Sequence, residues 1–376
     1  MKTKLTVLII ISILLTFSCG KEEITYTIDE IAGVKHVHNL APAWGDKPKV
    51  RLDFVRKIGE LESEDENFMF FSPRDIFVCS DGKLIFLDYS GYHFRIFDSE
   101  LNHIRTVGRQ GQGPGEFQGP FTLNISKDGQ IIITDNISRR VIFHDLNGDY
   151  KRSFTSQEFP SYLRIIEPNR LLIPTLSLTD FRNNEFNLYG LYDFEGNLIK
   201  KFGEPKNYPH PDNFVNYQLI RDGNYAYFDI DNAGNIVAAY QTRNLIEKYS
   251  KDGDLLFSAD RPLELEPGYE LVTFEGSGRE YPDFVYISEY VSIDHKNRIW
   301  VNTFIKDSEE AGEDYTENIL EFEIFSDEGI LLGKIPIPFV WKNSKRYVFR
   351  IFGDRLFIVE PYHEVCYFEY KIVDIN

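Results

Sequence analysis

The chain has 3 cysteines, 2 methionines and 3 tryptophans in 376 residues. Beyond Cys19 the only cysteines are Cys79 and Cys366, so no disulfide framework holds the fold together. Both lie in apolar strand patterns, where two buried thiols are expected rather than a bridge. Positive charge is also in short supply. Against 41 Lys and Arg stand 59 Asp and Glu, a net charge of −18. A chain that acidic, with no basic stripe to compensate locally, excludes nucleic acid as a partner. The sequence contains no Gly-x-Ser-x-Gly elbow and no His-Glu-x-x-His helix, so hydrolase nucleophiles and zinc-protease sites of those types are excluded. It also lacks a membrane-spanning run. The one long apolar stretch, Leu5–Phe17, falls short of the ~20 residues a spanning helix needs.

That stretch has another reading. Lys2 and Lys4 precede it, and Ser18-Cys19 follow. A basic start, a short apolar core and a small residue at the cut mark an export signal. The segment resembles a bacterial lipoprotein signal, although Thr16-Phe17-Ser18-Cys19 departs from the usual Leu-small-small-Cys pattern. The resemblance implies a signal peptide over 1–18, a lipid on Cys19 and membrane attachment through it. Gly20-Lys21-Glu22-Glu23 is similar to the acidic signals of outer-membrane lipoproteins in Bacteroidetes. The expectation is therefore a cell-envelope lipoprotein of the outer membrane, on its inner or its surface leaflet, with a tether over 19–48.

What the chain has in abundance is Phe, 31, and Tyr, 22, an enrichment that favours strands. It also repeats. "DIFVCSDGKLIFLDYSGYHFRIFDSELNHIRTVG" (75–108) and "LNISKDGQIIITDNISRRVIFHDLNGDYKRSF" (123–154) both read as strand, Asp-Gly turn, strand ending in Asp, short loop, strand ending near Asp, turn, strand. The unit recurs with decay at 163–203, 226–258 and 290–335. The last copy, 347–373, supplies three strands only. Its missing fourth strand is "VRLDFVRKIG" (50–59), whose end matches "IRTVG" and "IKKFG", the closing strands of other repeats. Joining it to the C-terminal repeat closes a ring and removes an open sheet edge. The expected fold is all-β: a six-bladed β-propeller of four-stranded antiparallel blades over 49–376.

"WGDKPKVRLDFVRKIGELESEDENFMFFSPRDI" (44–76), "GRQGQGPGEFQGP" (108–120) and the Asp-Gly and Phe-x-Asp turns carry a resemblance to bacterial six-bladed propeller lipoproteins of Bacteroidetes type, relatives of NHL-repeat proteins. It covers most of the chain and speaks to fold more than to function. The glycine-proline segment lies between an outer strand and the next inner strand. No helix follows it and no Gly-Lys-Ser/Thr ends it, so it is a rim-to-axis connector and not a phosphate loop.

In a meander, connections alternate between two faces of the disc. One face receives only short turns such as Ser80-Asp81-Gly82 and Lys251-Asp252-Gly253. The other receives the long stretches 175–186, 203–217, 259–283, 306–318 and 336–345. Long loops in a compact β protein are commonly functional, so that face is the expected binding surface. Candidates there are Asp88 and Asp135, as ligands for Ca²⁺ or a hydroxyl-rich molecule or as acceptors for loop N–H groups. Arg95, Arg139 and Arg140 are candidates to clamp an anion or to pair with those aspartates, and His93 and Arg109 are further ligand-binding candidates. His210 and Tyr269, with Tyr208, Phe274 and Tyr281, lie in the long insertions, where exposed aromatics suit sugar or peptide recognition. His36-x-His38 would need a third ligand to hold a metal, and the remaining histidines do not recur at one blade position. The expected function is a non-catalytic module binding a glycan, a peptide or an envelope protein, without a cofactor. The alternative is a propeller hydrolase or lyase with a carboxylate or metal site at the channel mouth.

Overall fold

The structure is a computed structural model describing residues 24–175, 178–183, 186–274, 276, 278–306, 319–338, 348–362 and 364–375. Six four-stranded antiparallel sheets follow one another along the chain. Counting from the first complete unit, the inner strands of blades 1 to 6 are Pro73–Val78, Pro120–Ile125, Arg164–Ile166, Ala226–Ile230, Ser288–Ile293 and Val348–Phe352. Each blade then steps outward through three further strands. The ring closes as the repeat pattern requires: Val50–Ile58 pairs with Cys366–Asp374, Ile58 opposite Tyr367 and Val50 opposite Asp374.

The alternating sequence builds each blade. Middle strands are buried on both sides, as in Leu84–Asp88 and His93–Phe97, because neighbouring blades cover both faces. Phe, Tyr, Ile and Val fill those layers, with Trp300, Tyr240 and Tyr367 among the largest side chains wholly excluded from solvent. Cys79 and Cys366 are free and buried. Burial pushes their thiols up to about 11 and about 12 respectively.

Blade-to-blade packing relies on one recurring glycine. In blade 4 the third-to-outer turn places Gly253 at φ +84°, where an added Cβ would sit 2.6 Å from the ring of Phe202, at the end of the outer strand of blade 3. Gly196 of blade 3 stands in the same relation to Phe154 of blade 2, and Gly329 of blade 5 to Phe257 of blade 4.

The segment 19–48, expected to be a tether, is built of ordered elements over its described part, 24–48. Tyr26–Ile31 and Val34–Asn39 form a hairpin, turned by Ala32 and Gly33 at positive φ. Its second strand lies parallel to Leu255–Asp260, the outer strand of blade 4, making a six-stranded sheet. Asn39 then bonds to Asp260, Gly329 and Leu331. Ala43 and Trp44 donate backbone N–H groups to Leu331 and Leu332 in blade 5. The N-terminal strap thus crosses the rims of blades 4 and 5 before it becomes the rim of blade 6. Edge chemistry explains the choice. The uncovered outer strands of blades 1 to 3, "HIRTV", "YKRSFT" and "LIKKF", carry Lys or Arg that discourage edge pairing. The outer strand of blade 4, "LLFSAD", carries neither, and is covered.

His36 and His38 brace this strap. His38 Nδ1 lies 2.7 Å from Asp260 and His36 Nδ1 2.6 Å from the Ser258 hydroxyl. The bond to Asp260 raises the pKa of His38. His144 is the opposite case. It is completely buried among Phe94, Phe117 and Tyr150, and neither ring nitrogen has a partner. Burial pushes its pKa down to about 4.

Two stability predictions follow from these contacts. Gly253→Ala combines an unfavourable φ with a clash against Phe202 and is expected to cost ~2 kcal/mol or more, read as a lower denaturant midpoint at unchanged m. Between about 4 and 6.5 the unfolded chain binds a proton at His144 that the fold refuses. Stability is therefore expected to fall as pH drops through that window, by up to ~3 kcal/mol, and the His144→Phe protein to lack this part of the slope. Parallel melting curves from pH 7 to pH 4 give the answer, and identical slopes would refute it.

Candidate functional site

At the axis, each inner strand contributes polar groups to one belt. Asp75 of blade 1 accepts the Leu123 N–H of blade 2 at 2.9 Å, and Asn124 of blade 2 donates to the Leu163 carbonyl leading into blade 3. Arg164 of blade 3 pairs with Asp229 of blade 4 at 3.1 Å. The other oxygen of Asp229 accepts Ser292 Oγ and the Ile293 N–H of blade 5. Ser292 Oγ in turn accepts the Ile351 N–H of blade 6, and Arg350 of blade 6 returns to Asp75 at 3.0 Å. The belt is a closed circuit of six steps.

Above it, toward the long-loop face, the channel is shut. Arg74, Phe121, Tyr162 and Tyr290 surround a void of only about 10 Å³. Tyr227 stacks on Tyr290 with centroids 4.1 Å apart, and Tyr162 meets Tyr227 edge-on at 5.5 Å. Arg164 donates to the Tyr162 hydroxyl at 2.6 Å.

The insertions build a second structure on that face. Helix Asn213–Gly223, capped by Asp212, packs on a hairpin of Tyr269–Phe274 and Arg279–Phe284. Tyr208, Val215, Leu219 and Ile220 form their shared core, with Phe181, Phe214 and Phe284 against it. Between this cap and blade 4 opens a cavity of about 360 Å³. Tyr225, Tyr227 and Tyr286 supply its aromatic surface, and Arg221, Asp222, Gln241, Thr242 and Asp283 its polar groups. Tyr225 meets Tyr227 edge-on at 5.3 Å, so the aromatic surface continues into the channel plug. Thr242 is 4% exposed and its hydroxyl has no partner.

The opposite, short-turn face was expected to be inert, and here the structure corrects the expectation. A cavity of about 470 Å³ enters the channel from that side, lined by all six inner strands and by turn residues such as Asn232, His295 and Gly353. Short turns leave this mouth uncovered, whereas side chains at the starts of the inner strands fill the other end.

The sequence-derived candidates do not converge. Asp88 is fully buried and spends its carboxylate on the N–H groups of Phe71, Ser72 and Gly91. Asp135 does the same in blade 2, accepting from Gln118, Gly119 and Ser138. Each bolts the incoming connection to its own blade, so neither is a ligand for Ca²⁺. His93 Nδ1 donates to the Gly91 carbonyl at 2.7 Å, and burial with Arg95 nearby lowers its pKa. Arg95 is buried over the Phe70 ring and donates to the Met69 carbonyl. Arg109 pairs with Glu116 inside the glycine-proline connector, and Arg140 donates to the carbonyls of Gln112, Gly113 and Glu116. That segment is a braced connector, as the sequence indicates. Arg139 lies over the ring of Phe159. His210 Nδ1 accepts the Asp212 N–H ahead of the helix, and Tyr269 packs on Tyr208 and Phe284 within the cap. Cys19, His363 and the stretches 307–318 and 339–347 lie outside the described residues. Among the described residues no three His, Cys, Asp or Glu side chains converge to hold a metal ion.

The architecture is that of a six-bladed β-propeller with a plugged channel and an accessory cap. The propeller itself is matched by a family model, DUF5128, described as a 6-bladed beta-propeller, over residues 53–255, and the chain belongs to that family. A DUF4221-family protein of Bacteroides vulgatus superposes with TM-score 0.58 at 13% identity, covering 87% of this chain and 99% of that one. A protein of Bacteroides fragilis inferred to be exported gives TM-score 0.58 at 11% identity, covering 91% and 100%. Among curated proteins none matches the sequence.

Because Asp135 is bound only to backbone N–H groups, Asp135→Ala is expected to destabilise by ~3 kcal/mol while leaving any ligand affinity of the folded protein unchanged. Urea unfolding and a binding titration on the same preparation separate the two effects.

Proposed function

We propose that the protein is a non-catalytic binding module of the cell envelope, tethered by a lipid on Cys19, that holds a segment of glycan in the cavity between the cap and blade 4. The observation that carries this reading is the pairing of aromatic and polar groups there. Tyr225 and Tyr286 offer partly exposed ring surface, and Asp222, Gln241 and Asp283 ring it with hydrogen-bonding groups. The buried Thr242 hydroxyl adds a polar atom without a protein partner. Sugar rings bury C–H faces on aromatic surface and satisfy hydroxyls at its rim, which is the mixture this cavity supplies. A volume of about 360 Å³ accommodates a short saccharide. The fold relatives do not bear on the ligand, since a propeller fold hosts many functions.

The test is calorimetric titration of the purified protein with a panel of neutral and acidic oligosaccharides, followed by Tyr225→Ala and Asp283→Asn. Each replacement is expected to weaken binding at least tenfold, ~1.4 kcal/mol. The melting temperature should move by less than about 4 °C, as befits partly exposed residues. Retention of full affinity by both variants would move the ligand elsewhere on the disc, and product release during titration would refute the non-catalytic reading.

A further inference from the structure

The cavity on the short-turn face has a construction of its own. Its collar is one apolar side chain from the end of each inner strand: Phe77, Ile125, Ile165, Ile230, Ile293 and Phe352. Five of the six are only partly buried, so the collar is reachable from outside. Its floor is the polar belt, represented by Asn124, Arg164, Asp229 and Arg350. An apolar ring over a charged floor is the complement of a small amphipathic molecule.

Arg350 decides what the polar end must be. The residue is 5% exposed and lines the cavity. Both Asp75 oxygens are taken by the same nitrogen, Nη1, at 3.0 and 3.2 Å. Nε is buried and has no hydrogen-bond partner. The edge formed by Nε and Nη2 is the side of a guanidinium that grips a carboxylate through two parallel bonds. A buried donor without an acceptor is destabilising, and a ligand oxygen would relieve it. Arg164, the second guanidinium of the floor, is already committed at Nε, Nη1 and Nη2, to Asp229, the Leu163 carbonyl and the Tyr162 hydroxyl. Arg350 therefore carries the unmet hydrogen-bonding capacity of the two.

We infer that the short-turn mouth is a second binding site, distinct from the cap cavity, for a compact monocarboxylate with a branched aliphatic or aromatic body. The carboxylate lies along the Nε–Nη2 edge of Arg350 and the body fills the Phe77-to-Phe352 collar. The belt's own charges are balanced, Arg164 with Asp229 and Arg350 with Asp75. Recognition therefore depends on the geometry of the fork and not on a general positive field, in keeping with a chain of net charge −18.

The experiment is a titration of the full mature protein, side-chain-labelled at arginine, with isovalerate, phenylacetate and the uncharged isovaleramide. A saturable shift of the Arg350 Nε–H resonance with the two acids is expected, with the amide at least tenfold weaker. Arg350→Lys keeps a cation beside Asp75 but loses the fork, and is expected to lose at least tenfold in affinity. Should that variant fold poorly, Ile165→Trp leaves the belt intact and fills the cavity, and binding should disappear with the melting temperature preserved. The inference is overturned if neither acid shifts the resonance at millimolar concentration, if the amide binds as well as the acid, or if Ile165→Trp leaves binding unchanged. Oligosaccharide binding at the opposite face is read separately in the same protein, so the two sites stand or fall independently.

Discussion

Everything in this molecule is arranged around the circuit of hydrogen bonds and ion pairs at the axis. Six sheets that differ in length and sequence meet there, and each is tied to the next through a polar group placed within an otherwise apolar strand. Buried ion pairs add little net stability over apolar packing, but losing one partner typically costs about 3–5 kcal/mol. The belt therefore acts chiefly on specificity. It fixes how far each blade slides relative to its neighbours, because a sheet displaced by one residue would leave Asp75 or Asp229 buried without its cation. The glycines that seat the outer turns of blades 3 to 5 on the preceding blade impose the same alignment at a larger radius.

Much of the ring was legible in the sequence for a plain reason: strand alternation and Asp-Gly turns are local signals, and the spare strand at 50–59 could be matched by its ending to other closing strands. The strap was harder. "YTIDEI" and "VKHVHN" alternate weakly, and the Ala32-Gly33 turn between them is the signal that marks the hairpin. Its partner lies more than two hundred residues away, beyond any local pattern. Site residues were the least legible. For Asp88 and Asp135 the sequence leaves two readings open, a ligand or the loop N–H groups, and the structure shows the loop N–H groups taking them. Arg350 and Asp229, which define the floor of the open mouth, look like isolated charges inside strands. A charged residue within an inner strand was the usable clue, since only a partner on the neighbouring blade makes such burial tolerable.

The two faces solve one problem in opposite ways. A channel lined by six strand ends has to be filled, covered or occupied. On the long-loop side, tyrosines fill it, and insertions carry a new cavity away from the axis toward blade 4. On the other side minimal turns leave the apolar collar open above the belt. Length of connection, set by the sequence between strands, thus determines where on the disc a small molecule can be held.

The strap also constrains the order of events during biosynthesis. His38 and Asp260 meet across 222 positions of chain. At a synthesis rate of ~5–20 residues per second, the amino-terminal hairpin waits roughly ten to fifty seconds before its docking strand exists. Blades 1 to 3 use only strands close together in the chain and can collapse during that interval, whereas blade 6 cannot be completed until the final strand, Cys366–Asp374, has emerged. The propeller therefore remains an open arc until Cys366–Asp374 can pair with Val50–Ile58, and that strand acts as the latch.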